Sequence, residues 1–151
     1  MRVYLVIIDD TEEARVALRF ATRRAAKTKG SVHLLALVPR QPFLAFGGLQ
    51  ATMEAEALER AEVLVTGAAS SISGEIATRP EIAVRQGDGV EVVRAYLAEH
   101  PEVAALVLGA ARDGGPGPLV SHFTGAGAGQ LPCPVFIVPG SLSEADIDRL
   151  S

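Results

Sequence analysis

Tryptophan is absent, aromatic residues make up 5% of the 151, and there is one cysteine, Cys133. A single thiol excludes an internal disulfide and cannot by itself make a cysteine-based zinc site. Basic charge is in deficit: 14 Lys and Arg against 18 Asp and Glu leave a net charge of -4. That argues against a general nucleic-acid binder, whose surface is ordinarily basic. Long apolar runs are missing too. No stretch approaches the roughly 18 apolar residues of a membrane span. The opening MRVYLVIIDD reaches Asp9 and Asp10 too soon for a secretory signal. The expectation is a cytoplasmic chain with neither a nucleic-acid nor a membrane partner. GxSxG, Walker, HExxH and metal-spaced histidine pairs are absent, and His33, His100 and His122 are far apart in sequence. No catalytic set is expected.

What remains is 48% hydrophobic and 21% charged, an ordinary globular composition with enough chain for one core. The run YLVII at 4–8 is apolar and β-branched and ends at Asp9, as a buried strand should. Thr11 is a good N-cap with Glu12 and Glu13 in the first turn. A helix follows to about Lys29, with Ala14, Ala17, Leu18, Ala21 and Ala25 inward and Gly30 as its stop. The spacing predicts further strands at 33–38, 81–85, 104–108 and 135–138. It predicts helices from Met53 to about Ile72 (Ala55, Leu58, Ala61, Val65 and Ala68 inward), from Gly89 to Glu99, and from His122 to Gln130. Asp88 with Glu91 is a capping-box pattern. After Gly140, Ser143 either caps a short terminal helix or belongs to a polar tail, so a domain at 1–140 and a tail at 141–151 are expected. Central strands without alternation, each followed by a helix, imply a parallel sheet covered on both faces, a three-layer α/β sandwich. Ligands of such sheets sit beyond the carboxyl ends of the strands, here Ile8-Asp9, Val38 and Leu108-Gly109.

Other features admit a plain reading beside a functional one. Arg15, Arg19, Arg23 and Lys27 recur at i, i+4 as a basic stripe, either a solvated helix face or a partner surface. His33 reads as a strand-end residue rather than a ligand. Phe43, Leu44 and Phe46 lie in a Pro/Gly loop that covers a site, meets a partner, or packs as satellite core. Cys133 between two prolines reads as an inert thiol.

The stretch 103–139 carries a buried strand, a glycine-rich loop with Gly114, Gly115 and Gly117, a small-residue helix and a second strand. Ile8-Asp9 closing the first strand, Gly87-Asp88, Leu106-Val107-Leu108-Gly109 and Pro132-Cys133-Pro134-Val135 together resemble the universal stress protein family. The resemblance spans essentially the whole chain. It implies a stress-response or signalling module with five strands in the order 3-2-1-4-5 and about four helices. It also implies a homodimer through the edge strand formed by Val135, Phe136, Ile137 and Val138, and a protein partner the sequence does not name. An apolar edge needs a cover in any case.

One branch of that family binds ATP through Gly-x2-Gly-x9-Gly-Ser/Thr. Here Gly109 fits, Arg112 stands at the second glycine, and His122 at the third, with Ser121 beside it. Arg112 either blocks a close backbone approach or supplies a charged partner for phosphate. Pro116 and Pro118 remove two amide donors. By the resemblance Asp9 takes the nucleoside contact, Asp10 stands at the mouth, and Ile8, Val38 and Phe123 are candidate apolar contacts, the last two equally core. The expectation is weak or absent ATP binding, with Mg only where ATP binds and at most weak ATP hydrolysis. The alternative is an ATP-binding member that uses Arg112 and His122 at the phosphates. A hydrolase or transferase on the related nucleotide-hydrolase fold is less favoured, since SGGxDS and HIGH are absent.

Overall fold

A computed structural model describes residues 1–40 and 47–151, with the side chains of 47, 48 and 50 left aside. The expected loop residues Phe43, Leu44 and Phe46 lie outside the described residues. In chain order the elements are β1 (Val3–Ile8), α1 (Glu12–Thr28), β2 (Ser31–Val38), α2 (Gly47–Ser71), β3 (Glu81–Gln86), α3 (Gly89–Glu99), β4 (Val103–Ala110), α4 (Pro118–Thr124), a 3-10 turn at Ala128–Gln130, β5 (Val135–Pro139) and α5 (Glu144–Leu150). All four strand pairings are parallel and the order is β3-β2-β1-β4-β5.

The central strands lack alternation because both their faces are buried. Tyr4, Val6 and Ile8 of β1, Leu34 and Ala36 of β2, and Val107 of β4 pack with α1 and α2. Their neighbours Val3, Leu5, Ile7, Leu35 and Leu106 pack on the other face with Val93, Tyr96 and Leu97 of α3 and Val120 and Phe123 of α4. Each fully buried Leu, Ile or Val contributes about 1.5–3 kcal/mol relative to exposure, so these two layers dominate the folding free energy. The strands at either edge, β3 and β5, are only partly covered.

Local signals account for most boundaries. Thr11 caps α1 by accepting from the Ala14 N–H at 3.1 Å, Asp88 caps α3 at the Glu91 N–H, and Ser143 caps α5 at the Asp146 N–H. Three boundaries depart from the sequence reading. First, α1 ends on Lys29 in the left-handed region (φ 56), not on Gly30. Gly30 is required for another reason: a Cβ there would lie 2.2 Å from the Arg2 carbonyl oxygen. Second, α2 starts at Gly47 rather than Met53, and the sequence QPFLAF before it contains no Ser, Thr, Asp or Asn to mark the start. Its inward face is Ala57, Ala61, Leu64, Val65 and Ala68, while Ala55 and Leu58 are exposed. Third, the helix expected at 122–130 lies earlier, at Pro118–Thr124. Proline suits a first turn because its missing N–H has no intrahelical partner there. Gly125, Gly127 and Gly129 then carry a helix-propensity cost that the chain avoids by turning. Among the described residues nothing lies within 4 Å of a Cβ built on Gly129.

The basic stripe is a docking face. Arg19 makes a bidentate bond to Asp148 of α5 (3.1 and 2.9 Å), and Arg23 bonds Asp148 at 3.1 Å and Glu75 at 2.6 Å. Lys27 donates to the Asp148 carbonyl at 2.7 Å, which also suits the negative end of a helix dipole. Arg15 stays mostly in solvent, 3.8 Å from Asp10. These pairs are half-exposed and solvent-screened, so they set register. Burial of Ile147, 1% exposed, contributes more to holding α5 in place, about 1.5–3 kcal/mol.

Candidate functional site at the carboxyl ends of the strands

The reversal of strand order between β1 and β4 opens a crevice at their carboxyl ends. A cleft of about 890 Å³ lies there, formed by the ends of β1, β2 and β4, the starts of α1 and α3, and the loop into α4. Ile7, Ile8, Leu37, Leu108 and Val90 give it an apolar floor, and its charged residues are Asp9, Glu13 and Asp88 against Arg40. A smaller groove of about 320 Å³ between α1 and α2 shares Ile8 and Asp9 with it and adds Asp10, Arg15 and Leu64. The larger cleft is the site candidate, because it gathers the ends of three strands and residues 116–118 of the loop into α4.

Asp9 is fixed by its own turn. Its Oδ1 accepts from both the N–H and the hydroxyl of Thr11, which orients the residue at the start of α1. Among the described residues Oδ2 has no partner, so one acceptor oxygen remains for a ligand hydroxyl or amine. Gly109 is held for packing: a Cβ there would meet the Glu13 carbonyl oxygen at 2.1 Å. Gly140 serves the same contact, since its Cβ would lie 3.0 Å from Glu13 Cβ and 2.8 Å from the Ala110 oxygen. The first turn of α1 is thus gripped between the ends of β4 and β5. Gly114, Gly115 and Gly117 have φ of 76°, 91° and 103° with open space around them, so there the backbone path itself requires glycine.

The structure brings only part of the sequence-proposed set together. Ile8, Asp9 and Gly109 line the cleft, whereas Asp10 lines the smaller groove. Val38 (2% exposed) and Phe123 (2%) are core residues on opposite faces of the sheet. Arg112 and Ser121 are exposed and outside the cleft lining. His122 is half-buried beneath Gly127, its Nε2 buried and without a partner among the described residues, and it too is outside the lining. The sequence reading passed over Glu13, Leu37, Arg40 and Gly89, all of which line the cleft. Glu13 and Gly89 flank recognised helix caps, so helix starts at a switch point were the available signal. Burial pushes the Cys133 thiol above its usual range, in keeping with an unreactive group.

The model of the universal stress protein family matches residues 1–139. The chain belongs to that family. No curated protein matches the sequence. Solved structures share the fold. UspA from Lactobacillus plantarum is 16% identical with a TM-score of 0.76, covering 91% of this chain and 97% of its own. A universal stress protein in complex with cAMP is 18% identical (TM-score 0.56; 93% and 98% covered). A universal stress protein family protein from Arabidopsis thaliana with AMP bound is 12% identical (TM-score 0.58; 92% of each chain covered). At these identities the similarity concerns the fold alone.

Proposed function

We propose that this universal stress protein is a non-catalytic, nucleotide-responsive stress-signalling module whose cleft takes a nucleoside carrying one phosphate in preference to ATP. The observation that carries this reading is the charge of the cleft. Three carboxylates, Asp9, Glu13 and Asp88, line it against Arg40, while Arg112, Ser121 and His122 stand outside. The triphosphate of ATP therefore does not fit the residues present. Each phosphate charge about 6 Å from a carboxylate costs roughly 1–3 kcal/mol at surface dielectric, and Mg²⁺ would be needed to offset several such pairs. One phosphate charge meets Arg40 and the starts of α1 and α3, where helix dipoles favour an anion. The apolar floor suits a base and the open Asp9 oxygen suits a ribose hydroxyl. The cAMP and AMP found in two structural relatives are of this ligand class. The same reading includes a homodimer through β5, a sheet edge on which Ile137 is 36% exposed, as a platform for a protein partner.

A thermal shift and calorimetric titration with AMP, cAMP and ATP, each with and without Mg²⁺, tests the proposal. AMP or cAMP should raise Tm by mass action more than Mg²⁺-free ATP, and Asp9→Asn should abolish the shift. Strongest binding by Mg²⁺-free ATP overturns the monophosphate preference. No shift with any nucleotide at millimolar concentration overturns nucleotide binding altogether. Light scattering on the same samples decides the dimer, and a monomer would remove that clause.

A further inference from the structure

A second constellation lies at the opposite end of the sheet. His33 near the start of β2, Glu81 opening β3 and His100 capping the end of α3 each offer a ligating atom, and these atoms all lie within 4.8 Å of one another. The topology explains the meeting. His33 and Glu81 are register partners in neighbouring parallel strands. A crossover helix returns antiparallel to the strands it links, so the C-terminus of α3 arrives where the strands begin. In sequence the three residues are spread across 68 positions, which is why their spacing gives no metal signature.

The orientation of the rings goes beyond proximity. His33 uses Nδ1 on the Tyr96 hydroxyl at 2.9 Å, and His100 uses Nδ1 on a Glu102 carboxylate oxygen at 3.0 Å. Metal-bound imidazoles are characteristically held in this way, the second nitrogen bonded to a carboxylate or other oxygen while the first ligates. His100 also stacks on Tyr96 with centroids 4.2 Å apart, and the two histidine rings meet edge-on at 5.4 Å. His33 Nε2 stands 3.4 Å from Glu81 Oε2. Two donors each about 2.05 Å from a tetrahedral zinc are about 3.3 Å apart, a spacing this gap matches. His33 is buried, His100 half-buried and the Glu81 side chain 65% exposed, so one side of the cluster opens to solvent for an ion to enter.

We propose that His33, Glu81 and His100 form a His₂Glu site for a divalent transition-metal ion of the zinc class, with Tyr96 and Glu102 as positioning residues. Two imidazoles and a carboxylate are the donor set such an ion selects over Mg²⁺ or Ca²⁺, and three protein ligands leave a fourth position for water. The ion would tie β3, the least buried strand, to β2 and to the end of α3.

The test uses the full chain carrying Cys133→Ser, to remove the thiol, and stripped of metal with a chelator. Zn²⁺ is titrated in competition with a chromogenic chelator, and Co²⁺ binding is read from its visible d–d absorption. One equivalent should bind. His100→Gln and Glu81→Gln should each weaken affinity at least about tenfold, and Glu102→Gln by about tenfold through the ring it holds. Neither Glu81 nor Glu102 is buried, so those variants keep the fold, which circular dichroism verifies. His122→Gln, outside the cluster, should leave affinity unchanged. Absence of stoichiometric binding, unchanged affinity in both ligand variants, or equal loss in His122→Gln overturns the proposal.

Discussion

Gly109→Ala separates two reasons for a glycine at the mouth of the proposed nucleotide cleft. If glycine is there to let backbone approach a ligand, the substitution is harmless to the ligand-free protein. The structure gives a different reason. The new Cβ would meet the Glu13 carbonyl oxygen at 2.1 Å and its carbon at 2.6 Å, against the 3.4 Å at which ordinary contact begins. The helix must retreat by more than an ångström. That retreat is resisted, because Ala14, Ala17 and Ala21 hold α1 on the sheet and the end of β5 closes the other side of Glu13. Overpacking of this kind costs about 1–3 kcal/mol. In a domain of this size the corresponding fall in Tm is about 2–12 °C. Chemical denaturation of nucleotide-free protein is the assay, with Gly67→Ala as its control. Gly67 lies within α2 with nothing near its Cβ position, so alanine there should stabilise by about 0.5–1 kcal/mol. If nucleotide-free Gly109→Ala unfolds with the wild type, the gripping of α1 is refuted and the glycine serves the ligand.

Two further outcomes follow from the packing. Val65→Ala should cost about 2 kcal/mol in urea unfolding while Leu58→Gln stays within about 0.5 kcal/mol, because Val65 is 1% exposed and Leu58 42%; equal costs would mean α2 faces the sheet differently. The Arg19 hydrogen bond, with help from Arg23, holds the Asp148 carboxyl below its ordinary value of 3.8. A depressed folded-state pKa gives a contribution that is complete above 3.8 and lost as pH falls through the folded value. Hydrogen exchange should therefore show α5 losing protection below about pH 4 while β1 is still protected, and Asp148→Asn should weaken α5 at neutral pH. Simultaneous loss in α5 and β1 would contradict this.

The sheet was legible in the sequence because a strand buried on both faces is a continuous apolar run, and YLVII and LVLG can be little else. Thr11, Asp88 and Ser143 were legible because a cap is a local interaction. The terminal helix partnering the basic stripe was not. Periodicity shows that Arg19, Arg23 and Lys27 share a face but not that Asp148, 121 or more residues away, comes to meet it. The same limit hid the cluster of His33, Glu81 and His100, whose members meet only through the crossover. The glycines of 125–129 misled in the opposite sense, since a helix-like spacing of small residues says nothing about whether a helix can afford them.

The phosphate side of the site shows how far a motif position and a place in space can diverge. Counting along the chain puts Arg112 and His122, with Ser121 beside it, where phosphate-binding residues stand in the ATP-binding branch. In the fold, Pro118 at the first turn of α4 and three glycines of positive φ set the path of this loop. Along that path Pro116, Gly117 and Pro118 line the cleft while Arg112 stays outside its lining. Two of these three lack an N–H, so the loop wall offers few donors to a polyphosphate. The charge of Asp9, Glu13 and Asp88 acts in the same direction. Under the proposed function, loop backbone and side-chain charge would act independently against a polyphosphate, and reversing one alone should not restore ATP. A Pro116→Ala, Pro118→Ala pair would return the two donors yet leave the carboxylates opposed to the triphosphate.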